Sequence, residues 1–324
     1  MDKLNFRPLL AGAGALTLGL FAVGGVQAAN LPANCSQPNP TIGVSLPNTV
    51  NPYYIAMQDS FKKHGAELGY TINMAIANDS DPNQLSQIDA FVQQGVCAVV
   101  LNAVDSGPGA AMVKALNDAG IPVFTVNVIV DDKALKAQGA SFIQYVGPDQ
   151  VAGGKQIGDQ AIKDLGSTAK IVAGFVGDPD QIPTNQRDSG FKQALSVDPN
   201  ATVVETVNSK VDPNVSLQVA SDMLQGHPDI NVIWADTGPG AVGSLQAIQQ
   251  AGKADSVKLY AFCAADTALT STYAACAAQE PADYARIALD NLKKYLAGQD
   301  VPHEVLQPTK MFVNGQKPGP GEVG

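Results

Sequence analysis

The sequence predicts an α/β protein made of two similar lobes, each a parallel sheet covered by helices on both faces. Three observations carry this. Short apolar runs alternate with segments of helical period, and no hairpin signal separates them, the pattern of a parallel sheet with helical crossovers. The alternation breaks at a polar stretch, residues 131–141, and then restarts for a second round of similar length. A chain of 324 residues is also long enough for two domains, each with its own core.

Taken in order, residues 41–46 read as a buried strand, followed by a helix over 52–68 with Ile55, Phe61 and Leu68 on a recurring face. Strand 70–76 leads into a loop rich in Asn, Asp and Ser, where Asp81-Pro82 opens the next helix with an N-cap and a first-turn proline. Residues 96–101, bounded by Gly95 and Asn102, form a central strand; 110–119 is helical up to Gly120, and 121–126 is the next strand. After the polar break, 142–146 resumes the rhythm. The second round runs helix 150–165, strand 170–175, helix 184–195, strand 202–207, helix 215–224, strand 231–235, helix 241–251 and strand 258–262. A last helix spans 282–296, and the Gly/Pro density of the final ten residues implies no further core element.

Composition narrows the function. Apolar residues make up 45% and charged residues 15%, too apolar a balance for a chain dominated by disorder. The net charge of −10 and the absence of any Lys/Arg run exclude a nucleic-acid groove, which needs clustered positive charge. Residues 1–29 read as an export signal: Lys3 and Arg7 give a positive start, residues 9–26 are apolar, and Val26-Gln27-Ala28 resembles a cleavage site. Read instead as a membrane anchor, the stretch is of marginal length. Asn34 is too bulky and polar for lipid processing at Cys35. An exported, acidic, soluble protein is expected. Its four cysteines, Cys35, Cys97, Cys263 and Cys276, then sit in an oxidising compartment, although spacing alone leaves their pairing open. No two are close enough for a zinc site, and only His64, His227 and His303 are available to assist. No metal and no cofactor are expected.

In open parallel sheets, ligands bind beyond the carboxyl ends of the strands. Those ends carry Asn48, Asn51, Tyr53 and Tyr54, then Asn102 with Asp105, then Asn127. In the second round they carry Asp178 and Asp180, Arg187 near the start of its helix, Asp236-Thr237 and Cys263. Taken singly, each Asn or Asp reads equally well as a turn or a helix cap, one of the two tyrosines as core, and Arg187 as a surface residue. Taken together, they offer what a hydroxyl-rich ring requires: polar groups for its hydroxyls and aromatic faces for its C–H surface.

At these residues the chain resembles the periplasmic sugar-binding proteins of the ribose-binding type, the type I solute-binding fold of ABC importers. The resemblance spans about residues 40–310. It is carried by Thr41-Ile42-Gly43-Val44-Ser45 leading to Asn51-Pro52-Tyr53-Tyr54, by Leu101-Asn102-Ala103-Val104-Asp105-Ser106 and by Ile121-Pro122-Val123. Farther on it is carried by Gly153-Gly154-Lys155, by Asn185-Gln186-Arg187-Asp188-Ser189-Gly190-Phe191 and by Ala278-Gln279-Glu280-Pro281.

The resemblance implies two lobes joined by a three-segment hinge that closes over a sugar or polyol, with no catalytic residue. The chain would cross near residues 142, 280 and 309. That gives a first lobe of 30–142 plus 280–309 and a second of 143–279 plus 310–324. Tyr53 and Tyr54 would lie against the ring, Asn51, Asn102 and Gln279 would contact hydroxyls, and Arg187 would fork onto two oxygens. The partners implied are the small polar ligand and the membrane subunits of an importer, around a monomer. A Cys35–Cys97 bridge is implied, with Cys263 and Cys276 on adjacent segments; the alternative leaves Cys263 unpaired and lining the site.

Departures from the family set the ligand. Asn127 and Val128 stand where ribose binders carry an Asp-Arg pair, Thr237 where an Asn is common, and Cys263 where an Asp is common. Losing these groups favours a smaller or less hydroxylated molecule than ribose, such as a short polyol.

Other classes fit less well. Gly238-Pro239-Gly240-Ala241-Val242-Gly243 matches a dinucleotide fingerprint but lies in the sixth unit, and Phe262-Cys263 rather than an acid ends the next strand. An NAD-dependent oxidoreductase is therefore disfavoured. No G-x-S-x-G elbow occurs. A ligand-sensing receptor role would use the same fold and site.

Overall fold

The computed structural model describes residues 31–166 and 168–324, so the export signal lies outside the described residues. The first sheet contains β1 (Thr41–Leu46), β2 (Thr71–Ile76), β3 (Ala98–Leu101), β4 (Val123–Val126), β5 (Gln144–Pro148) and β11 (Glu304–Gln307). They lie in the order β11-β5-β4-β3-β1-β2, all parallel. The second sheet contains β6 (Ile171–Gly177), β7 (Ala201–Asn208), β8 (Val232–Ala235), β9 (Lys258–Phe262), β10 (Tyr273–Ala278) and β12 (Lys310–Val313). Its order is β12-β10-β9-β8-β6-β7, parallel except for the antiparallel edge strand β12. The chain therefore folds as two α/β lobes with parallel-sheet cores.

Each sheet is sandwiched because its central strands are apolar on both faces. In the first lobe, α1 (Pro52–Glu67) and α9 (Pro281–Leu296) bury Met57, Phe61, Leu289 and Leu292 on one face. On the other face α2 (Asp81–Gln94) and α3 (Gly109–Asp118) bury Ile88, Phe91, Val113 and Leu116. In the second lobe, α5 (Gln150–Leu165) and α6 (Ile182–Leu195) pack Ile157 and Phe191 against Trp234 and Phe262. Helices α7 (Pro213–Gly226) and α8 (Gly238–Gln250) pack Met223 and Ile248 on the opposite face.

Caps fix where the helices begin. Asn51, Asp149, Asp212 and Thr237 each accept a first-turn amide through the side chain. Ser80, not Asp81, caps α2.

Several expectations need correction. The polar stretch at 131–141 is a lobe interior, not a boundary: Asp131 caps a short helix, α4 (Asp132–Gln138), which ends on Gly139 at φ 63°. Only Leu135 of α4 is buried, so its apolar period is too weak to read. The first crossing accordingly falls after Pro148, not at residue 142. Residues 144–148 pair with β4 on one side and β11 on the other, and Tyr145 and Val146 are core. The chain also passes between the sheets between β10 and α9 and between β11 and β12. The last residues are not free of the core: Val323 is buried against the first lobe and bridges Gln279.

Cys35 is bonded to Cys97, and Cys263 to Cys276. The second bond ties the end of β9 to β10 inside the second lobe. Replacing both Cys263→Ala and Cys276→Ala should remove roughly 2–4 kcal/mol of stability, the usual contribution of a native bridge. Urea unfolding followed by the emission of Trp234, the sole tryptophan, measures this; an unchanged midpoint would mean that the bridge contributes nothing.

Candidate binding site between the lobes

Strand ends of both sheets point into the gap between the lobes, and the helix caps place side chains there. Asn51 caps α1 and sets Tyr53 and Tyr54 in its first turn, the rings edge-on at 5.5 Å. Burial pushes both phenols' pKa well above the ordinary range, so they stay protonated donors. Asn127 directly follows β4 in a left-handed turn at φ 61°, a conformation Asn tolerates. Its carbonyl accepts the Tyr145 hydroxyl at 2.9 Å.

From the second lobe, α6 delivers Arg187. A Cβ on Gly154 would overlap the Arg187 carbonyl, and one on Gly190 would overlap the Val151 carbonyl. These two glycines let α5 and α6 lie almost backbone to backbone. Arg187 is 4% exposed. Its Nε donates to Gln150 Oε1 at 2.6 Å, one Nη to the Asp236 carbonyl at 2.8 Å, and the other to Gln279 Oε1 at 3.4 Å. The guanidinium carbon lies 4.1 Å over the Phe262 ring, a cation–π geometry. Burial lowers its pKa, opposed first by the nearby Asp236. Asp236 itself is fully buried, and that burial, then the Asp188 charge, raises its carboxyl pKa well above the usual range.

These groups surround a cavity of about 30 Å³. Asn51, Tyr53, Tyr54, Asn127, Arg187, Thr237 and Gln279 all line it. The Tyr53 hydroxyl lies 3.4 Å from Gln279 Oε1, positioned to donate to it. Gln279 Nε2, Gln150 Nε2 and Asp236 Oδ1 are buried with no hydrogen-bond partner among the described residues; orphaned polar groups of this kind are costly unless something else pairs with them.

Two expected residues stand elsewhere. Asn102 is fully buried beneath α1: its side-chain nitrogen packs on Met57 Sδ, its main-chain carbonyl accepts Gln84 Nε2 at 2.9 Å, and its main-chain amide donates to the Ser45 carbonyl. Cys263 is consumed by its disulfide and borders a separate, larger cleft of about 480 Å³.

Other lining residues went unread. Gln181, Pro183 and Thr184 follow β6, and Val211 follows β7; the strand-end rule applied to β7 would have reached Val211. The loop holds Lys210 and Val211 at φ 51° and 52°, strained for a β-branched residue at a cost of order 1–3 kcal/mol. Asn208 Oδ1 and Ser209 Oγ hold the two amides in place.

The lobes meet in a closed arrangement. Gln181 Nε2 donates to the Val104 carbonyl at 3.1 Å, and the Ile182 amide to Ser106 Oγ at 3.0 Å. Beside these bonds, Asp79 and Asp105 of the first lobe share a recess with Asp178 and Asp180 of the second. The glycines of the dinucleotide-like run serve packing: a Cβ on Gly243 would overlap Pro213 of α7, and the Gly238 amide is taken by the Gly324 carbonyl. Among the described residues no group of His, Cys, Asp or Glu could hold a metal ion, and no helix is long and apolar enough to cross a membrane.

The profile of the periplasmic binding protein domain matches residues 42–300. The chain is 29% identical over 275 residues to the ribose import binding protein RbsB of Bacillus subtilis, covering 84% of this chain and 86% of that protein. It is 27% identical over 277 residues to the D-ribose/D-allose-binding protein of Pseudomonas aeruginosa, covering 82% and 85%. The crystal structure of an ABC transporter solute binding protein from Mycobacterium smegmatis with bound glycerol superposes with a TM-score of 0.77 at 26% identity, covering 85% of this chain and 94% of that one.

The acidic recess gives a pH prediction. Burial, then the charges of Asp81, Asp178 and Asp180, push the Asp105 carboxyl up to about 6. A raised carboxyl favours the arrangement that holds it protonated, so its stabilisation is full below about pH 4 and is lost as pH rises through about 6. The closed arrangement should therefore gain population between pH 7 and pH 5, read by small-angle scattering. An Asp105 carboxyl resonance that titrates in the ordinary aspartate range would overturn this.

Proposed function

The chain belongs to the periplasmic binding protein family, and we propose that it captures a small sugar or polyol outside the cytoplasm for an ABC importer by closing its two lobes over the cavity. The observation that carries this is the convergence of Arg187, Gln279 and the two tyrosines on one cavity from both sides of the hinge. A ligand that touches both lobes binds the closed state better than the open one, and that difference in affinity drives closure.

The lining supports capture without chemistry. Its side chains include no carboxylate, imidazole or thiol to take a proton, and burial keeps Tyr53 and Tyr54 protonated. What it offers is donors and acceptors of neutral and cationic type: the Arg187 fork, the amides of Asn51, Asn127 and Gln279, and the Thr237 hydroxyl. Hydroxyl groups, each both donor and acceptor, are the natural complement. The site residues we assign are Asn51, Tyr53, Tyr54, Asn127, Arg187, Thr237 and Gln279, joined by Gln181 and Val211.

The relatives bind ribose or allose, and the superposed structure holds glycerol. Here Val128, Pro183 and Val211 give part of the wall an apolar surface, and the enclosed space is small. Both features favour a short polyol or a deoxygenated sugar over ribose. The two disulfides fit an oxidising compartment, and the protein is read as a monomer with only the ligand and the importer's membrane subunits as partners.

A thermal-shift panel of pentoses, hexoses and linear polyols tests the ligand class; a protein stabilised by none of them would remove the reading. For the strongest member, Arg187→Ala should weaken binding by about 1.5–3 kcal/mol, roughly 10- to 150-fold in Kd by titration calorimetry. An unchanged Kd would place Arg187 outside the site.

A further inference from the structure

We infer that Val323 and Gly324 form the wall that sets the size of the ligand. The inference rests on the reading of the central cavity as the binding site. That cavity, about 30 Å³, lies against the larger cleft of about 480 Å³. Asn51, Val211 and Gly324 line both spaces, and Val323 lines the larger one. They are the partition. Asn51 is fixed as the cap of α1, and Val211 by its side-chain-anchored turn. The remaining part is supplied by the segment 322–324, which comes from far along the chain.

The segment is seated on both lobes. Its Val323 main chain exchanges two hydrogen bonds with Gln279, at 2.7 and 3.1 Å. The Val323 side chain is 4% exposed and joins the first-lobe core with Tyr53 and Tyr54. Gly324 then meets the second lobe: its amide donates to the Cys263 carbonyl at 2.8 Å, and its carbonyl accepts the Gly238 amide at 3.1 Å. A Cβ on Gly324 would overlap the Cys263 amide and the Phe262 backbone, so the position accepts no side chain. A turn closed by Glu322 on Gly319, with the Glu322–Lys310 ion pair, anchors the segment from behind. Two consecutive residues thus hold Gln279 in register and close the cavity on the side of the cleft. Displacing them joins the two spaces and admits a longer or wider molecule.

The test compares the intact protein with Gly324→Ala, which pushes the segment off the second lobe, and with a chain ending at Glu322, which keeps the anchoring turn. Each is titrated calorimetrically with glycerol, erythritol, ribose and myo-inositol, with circular dichroism and Trp234 emission confirming the fold. The intact protein should prefer the small polyols to myo-inositol, and both variants should narrow that preference by about tenfold or more, the scale on which pocket shape discriminates. Folded variants that keep the intact protein's ranking would overturn the assignment of the wall. An intact protein that binds none of the four, with variants that bind myo-inositol, would keep the wall and remove the small-ligand reading. No binding by any form would remove both.

Discussion

A guanidinium sealed inside a protein must find hydrogen-bond acceptors, and Arg187 finds its acceptors in three separate segments. Gln150 opens the first helix of the second lobe, Asp236 directly follows β8, and Gln279 lies where the chain crosses back to the first lobe. One buried cation therefore holds the registry of the second lobe's strand ends and ties them to the hinge. The arrangement exists only because α5 and α6 touch through Gly154 and Gly190, and because Phe262 presents a ring face to the charge. A buried charge is costly unless it is fully bonded. The cost is met in the closed form by main-chain and amide oxygens, which leaves the fork partly committed before any ligand arrives.

The second feature of the cleft is that its two lips carry like charge. Asp79 and Asp105 face Asp178 and Asp180 across the opening, with Lys210 as the cation beside them. Repulsion there opposes closure, while the cross-lobe bonds from Gln181 and Ile182 favour it. A near balance of this kind suits a protein that must both grip and release.

The alternation of strands and helices was legible because each central strand is a short apolar run and each helix carries a cap. The elements that escaped did so for identifiable reasons. β10 is Tyr-Ala-Ala-Cys-Ala-Ala, a composition with no strand preference, and β11 and β12 are half-exposed edges. At the site, the strand-end rule supplied addresses but not directions. It pointed to Asn51, Asn127 and Thr237, which line the cavity, yet Asn102, at an equivalent address, turns inward under Met57. Gln279 and the role of Arg187 came from resemblance, not from pattern. Val211 stands at an address that the same rule reaches, but it offers no polar group, and a β-branched residue is a poor candidate for a left-handed turn. The segment 322–324 was invisible because its pairing with Gln279 is a contact of long sequence separation, made by a stretch whose glycines and prolines read as unstructured.

The cystines have a mechanical consequence. Cys35 and Cys97 both belong to the first lobe, and Cys263 and Cys276 both belong to the second. Neither cross-link spans the pivot, so oxidation stiffens each jaw without welding the pair together. The hinge carries no cross-link of its own, and the contacts that hold the lobes together are reversible and noncovalent.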